Sequence, residues 1–542
     1  MTEPVLSIEG LRIELPEAAD REFAVDDVDL NVHRGEVLCI VGESGSGKSM
    51  SANATMGLLP ATVKSTAGRI IFEGRDLLVL SENEMRKLRG RKIGMIFQDP
   101  MSALNPLMRV EDQIAEVFEA HGILTPGERR ERAKALLGEV GISDPERVTR
   151  SYPFQLSGGQ RQRVMISMAL ALEPQILIAD EPTTALDVTT QAQILKLIRD
   201  LQEKRGMAVI FITHDFGVVA EIAQRVAVMQ SGRIVETGTV DEILRDPQHP
   251  YTRQLLAAIP QPASEESKKC ADRPPILQVE NLTKTYPSAA GAFSKRPGVR
   301  AVNNVSFSLA ESEILGIVGE SGSGKSSVGR CIVRLMRPDF GTVTLAGQDM
   351  AQLSGRSLHA ARKMIQMIFQ DPEASLNPRA KVGRIIAEGP LAHGVDREEA
   401  YARSAKLLEL VRLGASAVDR YPHEFSGGQR QRIGIARALA LEPRVIVADE
   451  AVSALDVSTQ AEVLSLLAEL KERLNLSIIF ITHDLRVAAK ICDRVAVMRR
   501  GEIVEVGPSS MIFTRPQTEY SRWLVESIPG REKLQGSWNL SI

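Results

Sequence analysis

The sequence predicts an α/β protein made of two tandem copies of one domain, each built around a mainly parallel sheet. Three observations carry this reading. The string VGESGSGKS stands at 41–49 and again at 318–326, and MIFQDP (95–100, 367–372), SGGQRQR (157–163, 426–432) and FITHD (211–215, 480–484) recur after it in the same order. In each copy, short apolar runs alternate with longer stretches whose apolar residues fall at three- and four-residue spacing. The composition, 43% hydrophobic and 25% charged over 542 residues, is that of an ordinary folded chain. Offsets of 269 to 277 between the copies far exceed the ~20–50 residues of solenoid repeats, so a whole domain is duplicated.

Along the first copy, EVLCIVG (36–42) reads as a buried parallel strand ending at a glycine loop, QILIAD (175–180) and AVIFIT (208–213) as further buried strands, and QAQILKLIRDLQEK (191–204) as the helix between them. EILGIVG (313–319), RVIVAD (444–449), SIIFIT (477–482) and QAEVLSLLAELKER (460–473) repeat the series. PYTRQLLAAIP (250–260) returns as EYSRWLVESIP (519–529), so the domains are placed at 5–260 and 276–530. The polar, proline-bearing 261–275 reads as a flexible linker and 531–542 as a loosely held tail. One insertion, PSAAGAFSKRPGVR (287–300), lengthens the second copy relative to the stretch before Ala24.

A net charge of −3 gives no global field for nucleic acid or anionic lipid. Cys39, Cys270, Cys331 and Cys492 show no metal-ligand spacing and read as small core residues in a reducing compartment, which implies a cytosolic face. No apolar run approaches the ~18 residues that span a bilayer, so if a membrane is involved other chains cross it.

The chemistry is expected in the loops. Gly42, Glu43, Ser44, Gly45, Ser46, Gly47, Lys48 and Ser49, and again Gly319, Glu320, Ser321, Gly322, Ser323, Gly324, Lys325 and Ser326, follow predicted strands and fit GxxxxGK[ST]. In such a P-loop, backbone N–H groups converge on phosphates, the lysine reaches the β/γ-phosphates and the serine hydroxyl binds Mg²⁺. Asp180-Glu181 and Asp449-Glu450 end strands downstream; the aspartate suits Mg²⁺ held through water, and the glutamate suits activation of a water for in-line attack. His214 and His483 end the next strand, beside the phosphate-binding one, where an imidazole hydrogen-bonds a γ-phosphate.

Taken together, P-loop, MIFQDP, LSGGQ or FSGGQ, acidic pair and ITHD resemble the ATPase subunits of ATP-binding cassette transporters, over about 520 residues. The resemblance implies in each copy a RecA-like core, an antiparallel β subdomain and an α-helical signature subdomain, with ATP and Mg²⁺ as cofactors. It makes Gln98 and Gln370 the Q-loop glutamines that touch Mg²⁺ and the attacking water. Ser157, Gly158, Gly159 and Gln160, and Ser426, Gly427, Gly428 and Gln429, become signature motifs, and Thr184–Asp187 and Ser453–Asp456 become D-loops. It further implies that the signature of one half caps the nucleotide of the other, giving two complete sites. Tyr286 fits the family's adenine-stacking aromatic, whereas the first half has Leu15 there, which implies weaker nucleotide affinity at that site; Ala451 replaces a usual proline.

The stretches MSALNPLMRVEDQI (101–114) and EASLNPRAKVGRII (373–386), with Tyr152, Tyr421 and the PYTRQLL segment, resemble the oligopeptide, dipeptide, nickel and glutathione importers, here fused in one chain. That implies an import motor, most simply for peptides, on the cytoplasmic face of a bacterial inner membrane. Its partners would be two integral-membrane permeases and an extracytoplasmic substrate-binding protein, with no nucleic acid and with membrane contact only through the permeases. With Cys270 alone near the HPYT segment, no iron–sulfur cluster is expected. A soluble tandem ATPase acting on ribosomes is the alternative outside transport, but 261–275 is short against the long charged linker of such proteins. A fused sugar importer typically has a degraded second site, whereas Lys325 and Glu450 are present here.

Overall fold

The computed structural model describes residues 3–17, 19, 21–184, 186–259, 273–287, 298–453, 455–531 and 533. These form two compact units, one drawn mainly from residues before 260 and the other mainly from residues after 272. Residues 261–272 of the expected linker, 288–297 of the insertion and most of the expected tail lie outside the described residues.

In chain order the first unit has β1 (Leu6–Glu14), β2 (Phe23–Val32), β3 (Val37–Val41), β4 (Lys64–Phe72), β5 (Arg75–Asp76), β6 (Ile93–Ile96), β7 (Ile176–Asp180), β8 (Ala208–Thr213), β9 (Arg225–Gln230) and β10 (Arg233–Thr239). A four-stranded antiparallel sheet runs β2-β1-β4-β5, and a six-stranded sheet runs β10-β9-β3-β8-β7-β6, parallel except for β10. The second unit repeats both sheets with β11 (Pro275–Tyr286), β12 (Val299–Ala310), β13 (Ile314–Val318), β14 (Phe340–Leu345), β15 (Gln348–Asp349), β16 (Ile365–Ile368), β17 (Val445–Asp449), β18 (Ser477–Thr482), β19 (Arg494–Arg499) and β20 (Glu502–Pro508).

Because both their faces are covered, the inner strands are apolar except at their ends, where residues such as Asp180, Thr213, Asp449, Ser477 and Thr482 fall. From β3, Val37, Cys39 and Val41 join a core with Leu177, Phe211, Ile114, Leu136 and Val164, on the side of the helices between β6 and β7. The alternate residues Leu38 and Ile40 join Ile178, Ile210, Leu6, Ile8 and Phe72, on the side of the antiparallel sheet. Each such side chain, fully buried, contributes about 1.5–3 kcal/mol. Helices Val110–Ala120, Pro126–Glu139 and Gly158–Ala169 make the helical part; the second starts with Pro126 and a Thr125/Glu128 capping box, a strong local start signal. Among the described residues no helix is long and apolar enough to cross a membrane.

The expected strands 208–213 and 477–482 appear with those bounds, and the helices run Val188–Arg205 and Val457–Leu474, beyond the periodic cores that signalled them. In parallel register Val41 lies beside Thr213, Asp180 beside Ile212 and Ile96 beside Ala179. The loops after β3, β6, β7 and β8 therefore leave one edge of the sheet together, where a crevice for ligand forms in doubly wound folds.

Candidate functional site

At that edge in the first unit, Gly47 (φ 107°) turns the loop into helix Lys48–Thr55. A Cβ there would run into the Ala24 carbonyl, so glycine is required. Lys48 is 5% exposed, and its Nζ donates to the carbonyls of Gly42 (2.8 Å) and Glu43 (2.7 Å) and to Ser46 Oγ (3.3 Å). The loop thus holds a single cation at its centre, at the positive end of a helix. In the second unit Gly324 has φ 104°, and Lys325 Nζ meets Gly319 O at 2.8 Å and Glu320 O at 2.9 Å. Burial lowers the Lys325 ammonium pKa, against the pull of Glu450 and Asp449.

Ser49 Oγ donates to Asp180 Oδ1 at 3.0 Å, and Ser326 Oγ to Asp449 Oδ1 at 2.8 Å. A hydroxyl paired with a carboxylate is the sparse oxygen set that Mg²⁺ takes together with waters and phosphates. Burial pushes Asp180 up to about 6, with adjacent Glu181 adding to it, and raises Asp449 likewise. A bound cation compensates such buried carboxylates, so the residues fit the ion.

Glu181 follows the strand with φ 44°, and Glu450 with φ 48°, left-handed conformations unusual outside glycine. The Glu181 carboxylate accepts from Gln98 Nε2 (3.0 Å) and Thr184 Oγ1 (2.9 Å) and faces His214 Nδ1 (3.2 Å). Burial alone would raise its pKa, but the His214 contact and charge, then Thr184, hold it at about 2. Burial would lower His214, and Glu181 raises it. Glu450 meets Gln370 Nε2 at 2.8 Å and His483 Nδ1 at 3.3 Å; burial opposes and His483 lowers its pKa, while Glu450 raises His483 against burial. In both units the histidine reaches the glutamate through Nδ1, leaving the other ring nitrogen as the atom suited to a phosphate.

The signature serines cap their own helices. Ser157 Oγ accepts the Gln160 N–H (3.3 Å) while Gln160 Oε1 accepts the Ser157 N–H (3.2 Å), and Ser426 and Gln429 repeat the box at 3.4 and 3.0 Å. The amides of Gly158 and Gly159, and of Gly427 and Gly428, lie between at the positive end. A Cβ on Gly159 would press on Thr190 Cγ2 at 2.7 Å, and one on Gly428 on Thr459, so the second glycine is also a packing requirement.

Tyr286 ends β11 with its hydroxyl 3.2 Å from Ser327 Oγ, on the helix that Lys325 opens, and 3.1 Å from Met336 Sδ. In the first unit Leu15 packs against the core of the antiparallel sheet. Phe23 does not replace the missing ring: it pairs with Glu14, and so lies on the opposite face of the hairpin from Leu15. Arg21, from the β1–β2 turn, donates to the Gly45 carbonyl on the phosphate loop. Sequence reasoning missed Arg21 and Thr190, neither of which belongs to a motif whose spacing would single it out, and it placed Thr184 in a D-loop without its bond to Glu181. It noted Tyr251 and Tyr520 only inside the repeated C-terminal segments, as marks of the duplication and, for PYTRQLL, of the importer resemblance. Glu43 N–H donates to Tyr251 Oη at 3.1 Å, and Tyr520 Oη donates to Glu320 Oε2 at 3.2 Å.

The family described as ABC transporter matches residues 25–184 and 302–453, and that described as oligopeptide/dipeptide transporter, C-terminal region, matches 235–286 and 504–539. Among curated proteins, the chain is 47% identical over 528 residues to the peptidoglycan transport ATP-binding protein YejF of Agrobacterium fabrum, covering 97% of this chain and 96% of that one. It is 48% identical over 560 residues to the glutathione import ATP-binding protein GsiA of Escherichia coli, covering 97% and 90%. A solved dimer of the ATP-binding cassette MJ0796 bound to ADP and Pi aligns with 43% of this chain and 98% of its own, at 29% identity and a TM-score of 0.39.

Proposed function

The chain belongs to the ABC transporter family, among the ATP-hydrolysing subunits of importers that carry the oligopeptide/dipeptide C-terminal region, and from that premise we propose that it is the motor of a bacterial importer of short peptides. The observation that carries the reading is that each half keeps the whole set: a P-loop lysine and serine, the aspartate bonded to that serine, and a glutamate held by glutamine and histidine. A motor with one idle site would be free to lose part of its second copy.

In each half Lys48 or Lys325 and the loop amides bind the triphosphate. Ser49 with Asp180, and Ser326 with Asp449, hold Mg²⁺, which when bound neutralises phosphate charge. Glu181 and Glu450, kept ionised and oriented by their donors, position a water for in-line attack, and His214 and His483 meet the γ-phosphate. Gln98 and Gln370 carry the state of the site toward the helical part. Membrane permeases are the partners. We assign two of them, with a substrate-binding protein outside the membrane, and place this chain as a peripheral subunit on the cytoplasmic face.

Peptide cargo rests on the C-terminal region in both halves. A glutathione relative at 48% identity favours a second reading, glutathione itself, which is a small peptide. The test is a mild-detergent pull-down of the tagged chain from its own membranes, followed by uptake of labelled oligopeptides and of glutathione in cells with and without it. Two multi-spanning permeases and loss of oligopeptide uptake are expected. Loss of glutathione uptake alone replaces the cargo, and ribosomal proteins without permeases overturn the motor reading.

A further inference from the structure

The two C-terminal regions each send one buried tyrosine to the phosphate loop. Tyr251 and Tyr520 are 5% and 6% exposed and lie on helices Pro250–Ala257 and Glu519–Glu526, some 200 residues downstream of the loops they touch. Each helix start is pinned by a carboxylate from the last strand of its unit. Glu236 on β10 accepts the N–H groups of Gln248 (2.7 Å) and His249 (3.1 Å) and the hydroxyl of Thr252. Glu505 on β20 accepts from Gln517 N–H (2.8 Å) and from Thr518 N–H (3.0 Å) and Oγ1 (2.9 Å). So placed, the Tyr251 hydroxyl takes the N–H of Glu43, and the carbonyl of that same residue holds Lys48 Nζ at 2.7 Å. In the second unit the contact is to the side chain: the Tyr520 hydroxyl donates to the Glu320 carboxylate at 3.2 Å, the carbonyl of that same residue holds Lys325 Nζ at 2.9 Å, and the Arg499 guanidinium lies 4.6 Å over the Tyr520 ring.

We propose that Tyr251 and Tyr520 are positioning residues that fix Glu43, by its peptide N–H, and Glu320, by its side chain, and through them the P-loop lysines, in the shape that receives ATP. The inference rests on the ATP-hydrolysing reading above and adds to it a role for the C-terminal regions. A loop held in one shape serves the bound nucleotide and the transition state alike, so the hydroxyl acts on affinity and not on the chemical step.

The test is ATP hydrolysis by the full chain with its membrane partners, comparing the parent with Tyr251→Phe/Tyr520→Phe, which keeps both rings and removes both hydroxyls. The KM for ATP is expected to rise about 3- to 10-fold, the range of a lost hydrogen bond or two, with kcat within about 2-fold. The melting temperature without nucleotide should fall by no more than the few degrees such bonds are worth. An unchanged KM overturns the proposal, as does a fall in kcat at constant KM. Should the double variant fail to fold, each single variant gives the same split at one site. A parent that hydrolyses no ATP overturns the ATPase reading itself, and this inference with it.

Discussion

Glu181 receives three donors at its carboxylate, from Gln98, His214 and Thr184, whereas Glu450 receives two, because the Ser453 hydroxyl turns to Glu450's backbone carbonyl at 3.0 Å. At the position proposed to meet the base of the nucleotide the imbalance is reversed: Tyr286 in the second half, Leu15 in the first. Groups that would touch phosphate, cation or attacking water are the same in both halves, and those one layer out differ. Threonine is stiffer at χ1 than serine, so a single methyl is enough to move a hydroxyl from one acceptor to another. On the proposed reading, one half is therefore better supplied with donors at its carboxylate and the other with a ring for the base.

The sharpest way to break this comparison is to remove the carboxylates. Glu181→Gln/Glu450→Gln is expected to lower ATP hydrolysis about 10²- to 10⁴-fold, the range of a general base, with each single variant keeping a measurable share. A single variant as inactive as the double one would show that the two sites work only as a pair. Next in size is affinity. With Lys325→Ala the remaining first site should bind ATP at least about 5-fold more weakly than the second site does with Lys48→Ala, as one stacked ring is worth ~1–3 kcal/mol. Equal dissociation constants by nucleotide titration would erase the role given to Leu15 and Tyr286. Smaller again, Thr184→Val should lower turnover a few-fold, one hydrogen bond's worth, while Ser453→Ala, which leaves Glu450 both carboxylate partners, should stay within about 2-fold. Single-turnover assays in the matching lysine background separate the two.

The smallest effect is in stability. Glu236 and Glu505 are raised by burial, but the donors of the following turn outweigh this and hold both below the ordinary carboxyl range. A depressed folded pKa means that their contribution is complete at neutral pH and is lost as pH falls through and below about 4. Melting curves of the parent and of Glu236→Gln/Glu505→Gln should differ at pH 7 and converge in acid. A constant gap would sink the assignment.

Much of this was legible in the chain itself. Strands β8 and β18 announce themselves by an unbroken apolar run closed by threonine, Asp180 and His214 because each stands at a strand end, and Lys48 because a glycine motif carries it from a strand into a helix. Parallel register does the rest, bringing distant loops to one edge. What stayed hidden was contact between side chains from separate motifs. Tyr251 and Glu43 lie 208 residues apart, and no periodicity links them. The turn of Ser453 away from the carboxylate depends on a rotamer, and the second signature glycine looked like a phosphate-binding device alone until Thr190 was seen against it.

The left-handed backbone at Glu181 and Glu450 has an evolutionary side. Such a conformation costs roughly 1–2 kcal/mol for a residue with an ordinary side chain, and Asn, which visits that region more readily, would relax it. Losing the carboxylate at either position would release that strain but strip Gln98, Thr184 and His214, or Gln370 and His483, of their acceptor, so the two costs offset within the fold while turnover is lost. The strained glutamate and the donors around it form one unit, which a half released from catalytic duty would have to lose together.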